Sequence, residues 1–333
     1  MSIGSKTRRD QKRKKRARLE ARAAAEEPAR RAAKAPALPP HQRKDVQNFT
    51  TAQAEDNPSL VRRLRAVVTD LEDNGTVVNR AGRILQYIRD LEEFERRTAP
   101  LQVSEDIERF ASVWMEGSLL ADTFDALRTP PEVAHWRTPH FELALKGGAL
   151  PGGEDDRPRA KLLELYVAAA AKNAGYEVEL AEPDVVLKVG PAKYGCAAKR
   201  PRSVRKFQER IEEGVTQIAN QDLDGFLVVD LTLALDLHKG LFMIENFSEY
   251  ENISRTLLAR VAELSANGEV DRWVRNHPSG HRVFGVGVVA FATGYVRSAR
   301  KHMAFRRWIC DGIRTPQNDA QVAFFHEFTS RLR

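Results

Sequence analysis

The amino-acid sequence predicts an α/β protein, in which a mixed central sheet is flanked by helices and preceded by an N-terminal helical region. Two uniformly apolar runs, residues 225–235 and 283–293, are typical of strands that are buried on both faces. Helical segments separate these runs, and strands that alternate with helices are typical of a sheet covered by helices. A shorter strand pair, predicted at residues 185–199, is followed directly by an amphipathic helix.

The strand pair follows Asp184 and ends at Lys199. An apolar run comes after Asp184, a Gly190-Pro191 turn comes next, and a second short run leads to Lys199. This order predicts a β-hairpin with Asp184 near the start of one strand and Lys199 near the end of its neighbour. Apolar residues then recur at three- and four-residue spacing, which predicts a helix packed on the hairpin: Val204, Phe207, Ile211, Val215 and Ile218.

The order of these residues resembles the core of the PD-(D/E)xK nucleases, the restriction-endonuclease-like superfamily. Asp184, which follows a proline, matches the first acid of the family motif, and Lys199 matches its last element. The resemblance covers residues 159–230. It implies that carboxylates hold Mg²⁺ at the sheet edge, and that the lysine orients or activates the water that attacks a phosphodiester. This chemistry depends mainly on positioning and on neutralising charge.

One position departs from the family pattern. The second acid of the motif lies two residues before the lysine, where this chain has Ala197. Alanine cannot ligate a metal ion, so the site either has one carboxylate fewer or takes one from elsewhere. The candidates are Glu164, on the helix before the hairpin, and three glutamates on the helix after it: Glu209, Glu212 and Glu213.

The resemblance therefore predicts a catalytic set and a metal set that overlap. Asp184 and Lys199 come from the hairpin, Glu164 from the preceding helix, and Gln217 from the following helix, where it would support the site by hydrogen bonding. The expected Mg²⁺ ligands are Asp184, Glu164 and Glu213, and Glu213 lies one turn before Gln217 on the same face. Glu164 has a second interpretation, because a carboxylate inside an apolar stretch is also satisfied by a structural ion pair.

Two groups of basic residues predict contacts with nucleic acid, and DNA is favoured over RNA. The first group follows the lysine of the motif and contains Arg200, Arg202, Arg205 and Lys206. The second lies in residues 295–308, where aromatic side chains are interleaved with basic ones that include Arg297, Arg300 and Lys301. Such interleaving suits a groove that holds phosphates and stacks bases. The alternative for residues 295–308 is an amphipathic helix with a basic outer face.

The net charge of +7 is unevenly distributed. Residues 1–45 contain 15 Lys and Arg against 5 Asp and Glu, so the remaining chain carries a net charge of −3. Residues 6–34 have hardly any large apolar side chain, which predicts a disordered basic tail, and a Pro-rich linker follows at residues 35–40. Such a tail either binds a phosphate backbone without reading bases or only keeps the protein in solution.

Composition argues against several other classes of protein. No run of 18 or more apolar residues occurs, so no membrane span is expected, and the polar, basic start predicts no secretory signal. The two cysteines, Cys196 and Cys310, suggest a reducing compartment, and we expect a cytoplasmic protein. The eight histidines lack metal-ligand spacing, and neither a Gly-rich phosphate loop nor a G-x-S-x-G motif is present.

The sequence thus predicts three segments: a basic tail and linker at 1–45, a helical region at 46–137 and a PD-(D/E)xK-like α/β domain at 138–333. Four helices are expected in the second segment, at residues 59–71, 84–94, 104–114 and 119–127. The first functional hypothesis is a Mg²⁺-dependent nuclease or nuclease-like protein that acts on nucleic acid. The second is a non-catalytic nucleic-acid-binding or assembly protein that retains the nuclease fold, and Ala197 favours it.

Overall fold

The structure, a computed structural model, describes most of the chain after the predicted linker. The described residues are 46–97, 104–128, 134–148, 150–151, 157–249, 251–252, 255–256, 259, 269–313, 315 and 318–332. The predicted basic tail and its linker lie outside these ranges.

The described chain begins with one strand and a run of helices, and then strands and helices alternate. The helices are α1 (Asn57–Asp73), α2 (Arg83–Arg96), α3 (Ser104–Leu127), α4 (Ala134–Ala144), α5 (Arg157–Asn173), α6 (Phe207–Asn220), α7 (Glu269–Asn276) and α8 (Asp319–Ser330). The strands are β1 (Val46–Glu55), β2 (Glu177–Glu179), β3 (Val185–Val189), β4 (Ala192–Lys199), β5 (Asp224–Asp230), β6 (Leu241–Ile244), β7 (Val283–Val296) and β8 (Lys301–Gly312). Among the described helices, none is both long enough and apolar enough to cross a membrane.

These strands form a mixed sheet. The order across the sheet is β1-β8-β7-β5-β4-β3-β2, and β6 pairs with the far end of β7. Strands β4, β5 and β7 run parallel to one another, whereas the pairs at both sides of the sheet are antiparallel. The predicted α/β class, with a mixed sheet flanked by helices, is confirmed.

Strands β3 and β4 form the predicted hairpin, in which Val185 pairs with Cys196. Gly190 lies in the connecting turn with φ +58°, a left-handed conformation that glycine adopts without a steric penalty. Because the turn sets the register of the two strands, Asp184 and Lys199 are brought to neighbouring positions at the open end of the hairpin.

Helices cover both faces of the sheet, and the side chains of β4 alternate between the two faces. Cys196 and Ala198 belong to a core cluster that includes residues of α1 to α5 and α8. Ala197 lies in a second cluster with residues of α6, α7 and the other sides of β5 and β7. Successive side chains of a strand point to opposite faces, so β4 contributes to both cores. The predicted helical region therefore shares one continuous core with the sheet.

Strand β1 lies in a segment that the sequence predicts as part of the helical region. Its sequence, VQNFTTAQAE, has no regular alternation of apolar residues, yet it pairs with β8 from Val46↔Asp311 to Glu55↔His302. Pairing with a neighbour that is distant in the chain makes this segment a strand, and local sequence pattern does not report such pairing.

The stretch 295–308 is a hairpin, so the alternative of an amphipathic helix is wrong. It contains the end of β7, a turn and the first part of β8, and Tyr295 pairs with His302 across the ladder. The apolar residues of the stretch are buried against the sheet cores on alternate faces. The apolar residues of this stretch alternate with a period of two, as in a strand, but the dense basic residues hide the alternation in the sequence.

Three other elements differ from the sequence prediction or extend it. Helix α3 is continuous where two helices were predicted, and Gly117 at the predicted gap packs against α1, with Leu64 Cδ1 3.4 Å from where a Cβ would lie. Strand β5 ends at Asp230, earlier than predicted. Helix α7 is one of the helical segments expected between the two apolar runs, and most of residues 250–268 lie outside the described ranges.

Gly225 lies at a close approach of β4 and β5. A Cβ at this position would lie 2.1 Å from the carbonyl oxygen of Gly195, a backbone atom that cannot move without disturbing β4. We expect Gly225→Ala to lower the free energy of unfolding by about 2 kcal/mol, because the pairing that holds β4 would be distorted. Urea denaturation followed by circular dichroism measures the change. The control is Gly148→Ala, where an added Cβ meets nothing within 4 Å, and equal losses in both variants would contradict the expectation.

Candidate active site

Asp184 and Lys199 meet at the open end of the β3–β4 hairpin. The Lys199 Nζ lies 3.1 Å from Asp184 Oδ2, and the backbone N–H of Ala198 donates to the same oxygen at 2.8 Å. Both side chains are mostly buried, so the ion pair is shielded from bulk water. The structure thus brings together the two residues on which the sequence resemblance depends.

Gln217 on α6 completes the cluster. Its side-chain oxygen accepts a hydrogen bond from Lys199 Nζ, and its Nε2 donates to Asp184 Oδ1 at 2.9 Å. The same Nε2 contacts the carbonyl oxygen of Pro183 and, at 2.8 Å, Oε2 of Glu182. One amide group therefore orients both members of the ion pair, as the sequence expects of Gln217.

Glu182 is a residue of this cluster that the sequence prediction missed. It is exposed, and it shares the Nε2 of Gln217 with Asp184, so two carboxylates flank one amide nitrogen. Its position directly before Pro183 and Asp184 is the signal that could have indicated it.

Glu164 on α5 approaches the cluster from the other face of the sheet. It is nearly buried and forms an ion pair with Lys161. Burial first, and then the negative charge of Asp184, raise the pKa of Glu164 to about 7, whereas Lys161 and Lys199 act in the opposite direction. A carboxyl group with this pKa exchanges a proton near neutral pH. Glu164 is therefore an ion-pair member that also borders the Asp184 cluster.

Ala197 lies on β4 and faces α6. It is fully buried, and a Cβ added to Gly214 of α6 would lie 3.5 Å from the Cβ of Ala197. The surrounding cluster is apolar and includes Ile211 and Val215. A carboxylate at position 197 would enter this apolar interface, so close packing of α6 favours alanine where the family pattern has an acid.

The three glutamates of α6 differ in their placement. Glu213 lines a cleft beside Lys199, and its carboxylate lies 2.5 Å from Arg210 Nη1 of the same helix. Glu209 forms an ion pair with Lys206, and Glu212 accepts a hydrogen bond from Gln208. Glu213 is thus the α6 carboxylate placed beside the cluster, and it enters the cleft as part of an ion pair.

The cleft beside Lys199 has a volume of about 480 Å³. It lies between the start of α5, the end of β4 and residues 202–213, and Glu164 and Glu213 contribute its acidic side chains. Its basic side chains are Arg157, Lys199, Arg200, Arg202, Lys206 and Arg210. An excess of basic groups in a partly enclosed cleft focuses a positive potential and attracts anions.

Arg200 contributes to this cleft from inside the protein. Its side chain is only 3% exposed, its Nε lies 2.8 Å from Asp230 Oδ2, and its Nη2 lies 3.8 Å from Glu116 Oε1. The sequence predicts Arg200 as a nucleic-acid contact, but its burial removes it from the exposed surface. Arg202, Arg205 and Lys206 of the same group are exposed.

The buried ion cluster around Arg200 is centred on Glu116 of α3, which the sequence prediction also missed. The carboxylate of Glu116 accepts hydrogen bonds from Tyr87 at 2.5 Å, from Arg159 at 2.7 Å and from Arg83 at 3.3 Å. Burial alone would raise the pKa of Glu116, but the charges of the three neighbouring arginines outweigh burial and lower it to about 2. An ionised Glu116 therefore links α2, α5 and the end of β4.

The second predicted basic group divides into exposed and buried members. Arg297, Arg300 and Lys301 are exposed at the turn between β7 and β8. Arg306 and Arg307 are mostly buried in β8, and Arg306 pairs with Asp122. Of the five basic residues in the stretch, three are therefore accessible and two are not.

The turn between β7 and β8 projects past the ends of β4 and β5, beyond the level of Lys199. Strands β4 and β5 end together, with Lys199 paired to Val229. Strand β7 leaves β5 at the pair Asp230↔Val289 and continues to Val296, about 23 Å further along the strand direction. The exposed basic turn and the cleft are thus at the same end of the sheet.

The resemblance implies Mg²⁺ at this end of the sheet. Within the described ranges, no group of three or more His, Cys, Asp and Glu side chains is arranged to hold a metal ion. Mg²⁺ is commonly bound by one or two carboxylates together with substrate phosphates, and Asp184 and Glu164 provide two such groups. Burial and the charge of Asp184 raise the pKa of Glu164, and a cation near both carboxyl groups would offset the second effect. Carboxylates are the donor type that Mg²⁺ takes, and both oxygens of Asp184 also accept hydrogen bonds from Ala198, Lys199 and Gln217.

Comparisons of the chain with known protein families, with curated proteins and with solved structures found no match. The function of the site is therefore argued from the geometry of this chain.

Introducing an acid at position 197 tests the packing explanation for the departure from the family motif. We expect Ala197→Glu to lower the free energy of unfolding by about 3 kcal/mol, because a carboxylate would be buried among apolar side chains and would crowd α6. Chemical denaturation measures the loss, with Ala197→Ser as a control of similar volume. A glutamate variant as stable as the wild type would show that α6 leaves room for the acid.

The raised pKa of Glu164 predicts a specific dependence of stability on pH. The folded protein retains the Glu164 proton up to about pH 7, whereas the unfolded chain releases it near the ordinary glutamate value. Glu164 therefore lowers stability as pH rises through this window, and the loss is complete above it. We expect Glu164→Gln without Mg²⁺ to be more stable than the wild type at pH 8, by on the order of 2 kcal/mol.

Thermal and urea denaturation at pH 5, 7 and 8 measure this difference, which should shrink at pH 5. The control is Glu209→Gln, because Glu209 is exposed and its hydrogen bond to Lys206 lowers its pKa. A constant difference between Glu164→Gln and the wild type across this pH range would contradict the assignment.

Proposed function

We propose that the protein is a Mg²⁺-dependent nuclease-like protein that acts on phosphodiester bonds of nucleic acid, with a PD-(D/E)xK-like core. The observation that carries the proposal is the convergence of Asp184, Lys199 and Gln217 beside a basic cleft. The three side chains come from the hairpin and from the helix after it, in the order of the resemblance. Of the three, Lys199 lines the cleft, which supports a contact between its ammonium group and a phosphate bound there.

We assign to Lys199 the role of positioning the water that attacks the phosphodiester. Its Nζ is held by Asp184 and by the side-chain oxygen of Gln217, so the ammonium group is fixed in position before substrate binds. A positioned ammonium donates hydrogen bonds to water or to a phosphate oxygen and stabilises the negative charge that develops there. Gln217 acts through Lys199 and Asp184 and is a positioning residue.

Asp184 and Glu164 are the residues that would hold Mg²⁺, and Glu213 is a further carboxylate on the wall of the cleft. When bound, the cation supplies neutralisation of the phosphate charge. Without the cation, burial and Asp184 raise the pKa of Glu164 to about 7, so binding of Mg²⁺ near neutral pH would release a proton from Glu164.

The nucleic-acid contacts in this proposal come from exposed basic residues on both sides of the cluster. Arg202, Arg205 and Lys206 lie beside the cleft, and the turn between β7 and β8 presents its basic residues at the same end of the sheet: Arg297, Arg300 and Lys301. A duplex that spans both groups would pass over the Lys199 end of the sheet. DNA remains the favoured partner, and phosphate contacts of this kind carry no sequence information.

One observation favours a second candidate function, a non-catalytic nucleic-acid-binding or assembly protein. Both carboxylate oxygens of Asp184 accept hydrogen bonds, from Ala198, Lys199 and Gln217. Because position 197 is alanine, β4 provides no second carboxylate beside Asp184. In this candidate the ion pair only shapes the surface beside the basic cleft. Binding of nucleic acid is common to both candidates, and cleavage separates them.

A cleavage assay on the full-length protein distinguishes these candidates. Purified protein is incubated with plasmid DNA and with RNA, in Mg²⁺ or in EDTA, and the products are resolved on gels. We expect cleavage in Mg²⁺ alone, reduced by about 100-fold or more in Lys199→Ala because the positioned ammonium is lost. Lys193→Ala, an exposed lysine on the same strand, is the matched control and should retain activity.

Two outcomes would contradict the proposal of a nuclease. Cleavage that persists in EDTA and in Lys199→Ala would come from other residues or from a contaminant. Binding of nucleic acid with no cleavage under any of these conditions would assign the protein to the non-catalytic candidate.

A further inference from the structure

We infer that the cleft beside Lys199 is a receptor for a phosphomonoester, the terminal phosphate of a nucleic acid strand, and that Arg200 forms its inner end. This inference deepens the proposed function, because it names the class of substrate, and it rests on the assignment of nucleic acid as the partner. The shared chemistry, a phosphate dianion, is also that of free inorganic phosphate.

The first observation is the state of the Arg200 guanidinium. It is 3% exposed, its Nε lies 2.8 Å from Asp230 Oδ2 and its Nη2 lies 3.8 Å from Glu116 Oε1, and the residue also lines the cleft. A guanidinium carries five N–H donors in a planar fork that matches phosphate geometry. The two contacts involve Nε and Nη2, so an anion in the cleft could accept from the N–H groups on the side of Arg200 that lines it.

The second observation is a gradient of exposure among the basic side chains of the cleft. The side chains of Lys206 and Arg210 are 53% and 42% exposed, that of Lys199 is 15% exposed, and that of Arg200 is 3% exposed. The first two therefore lie at the mouth of the cleft, and Arg200 lies at its depth. An anion is drawn inward along this order, towards the region of lower dielectric where a charge-assisted hydrogen bond is strongest.

The burial of Arg200 decides which phosphate can reach it. An internal phosphodiester has a nucleoside on each side, so it needs an open groove to bring its oxygens to a guanidinium. A terminal phosphate has one substituent and can enter a cleft of about 480 Å³ end-on. It also carries a charge of about −1.5 to −2 near pH 7, because its second pKa is about 6. The geometry therefore selects strand ends over strand interiors.

The acids near Arg200 leave the cleft with an excess of positive charge. Asp230, 2.8 Å from Arg200 Nε, is the nearest acid, and Glu116, 3.8 Å away, is shared with Arg83 and Arg159. Glu164, which also lines the cleft, is paired with Lys161. A dianion at the inner end of the cleft would thus meet Arg200, which its neighbours hold in place, together with Lys199.

Equilibrium binding of matched oligonucleotides tests this inference. The full-length protein is titrated in EDTA, at constant ionic strength, against one internally labelled single strand that carries a 5′-phosphate, a 3′-phosphate or hydroxyl groups at both ends. We expect one phosphorylated form to bind about tenfold more tightly than the hydroxyl form, from additional charge-assisted hydrogen bonds. Excess inorganic phosphate should reduce this advantage by competing for the same cleft.

Two variants test whether the preference for a phosphorylated end depends on Arg200. Arg200→Lys keeps the charge and removes the planar fork, so the tenfold advantage should fall to about twofold or less. Arg297→Ala, at the exposed turn between β7 and β8, is the matched control and should weaken all three oligonucleotides by the same factor. Thermal denaturation shows whether Arg200→Lys folds, and the comparison of oligonucleotides on the wild type decides the question without any variant.

Equal affinity of the wild type for phosphorylated and hydroxyl ends would overturn the inference, even in a protein that cleaves DNA with Mg²⁺. Displacement of every oligonucleotide by inorganic phosphate without an end preference would assign the cleft to free phosphate and would overturn it as well. An end preference without cleavage would support the inference and would count only against the proposal of a nuclease.

Discussion

One buried carboxylate, Glu116, holds the helical layer to the end of the sheet at which the candidate site lies. It is bound by arginines from α2, α5 and the residue after β4. Removing a charge from water costs several kcal/mol, so the carboxylate is stable only while these partners stay in place. Arg159 lies on the helix that carries Glu164, and Arg200 directly follows Lys199. The interaction that stabilises the interior therefore also positions two members of the site cluster.

The two faces of β4 have different consequences for the site. On the face towards α6, Ala197 is packed among apolar side chains, which favours alanine over an acid, and Lys199 is held at the end of the strand by Asp184 and Gln217. On the face towards α5, burial raises the pKa of Glu164 and leaves a basic cleft open to solvent. The charged side chains therefore lie at the end of β4, because the middle of the strand is buried in two apolar cores.

Sequence prediction succeeded where structure is local. The hairpin was predicted because a Gly-Pro turn and two short apolar runs lie within a few residues of each other, and α1, α2 and α6 were predicted because their apolar spacing is regular. It failed for β1, which becomes a strand only by pairing with β8, and for residues 295–308, where basic residues hid the alternation of a hairpin. Glu116 was missed although it lies in an apolar stretch, VWMEGSLL, which indicates a buried carboxylate as it does for Glu164.

The sequence by itself determined that Asp184 and Lys199 would be neighbours, since a two-residue turn sets the register of the strands that carry them. It also determined the uneven distribution of charge, with a net charge of +10 in residues 1–45 and −3 in the rest of the chain. Only the tertiary structure decided which distant residues join that pair: Gln217 and Glu164 from helices on opposite faces, and Glu116 and Asp230 around a buried Arg200. These placements follow from the packing of helices on the sheet, and packing between segments distant in the chain leaves no periodic trace in the sequence.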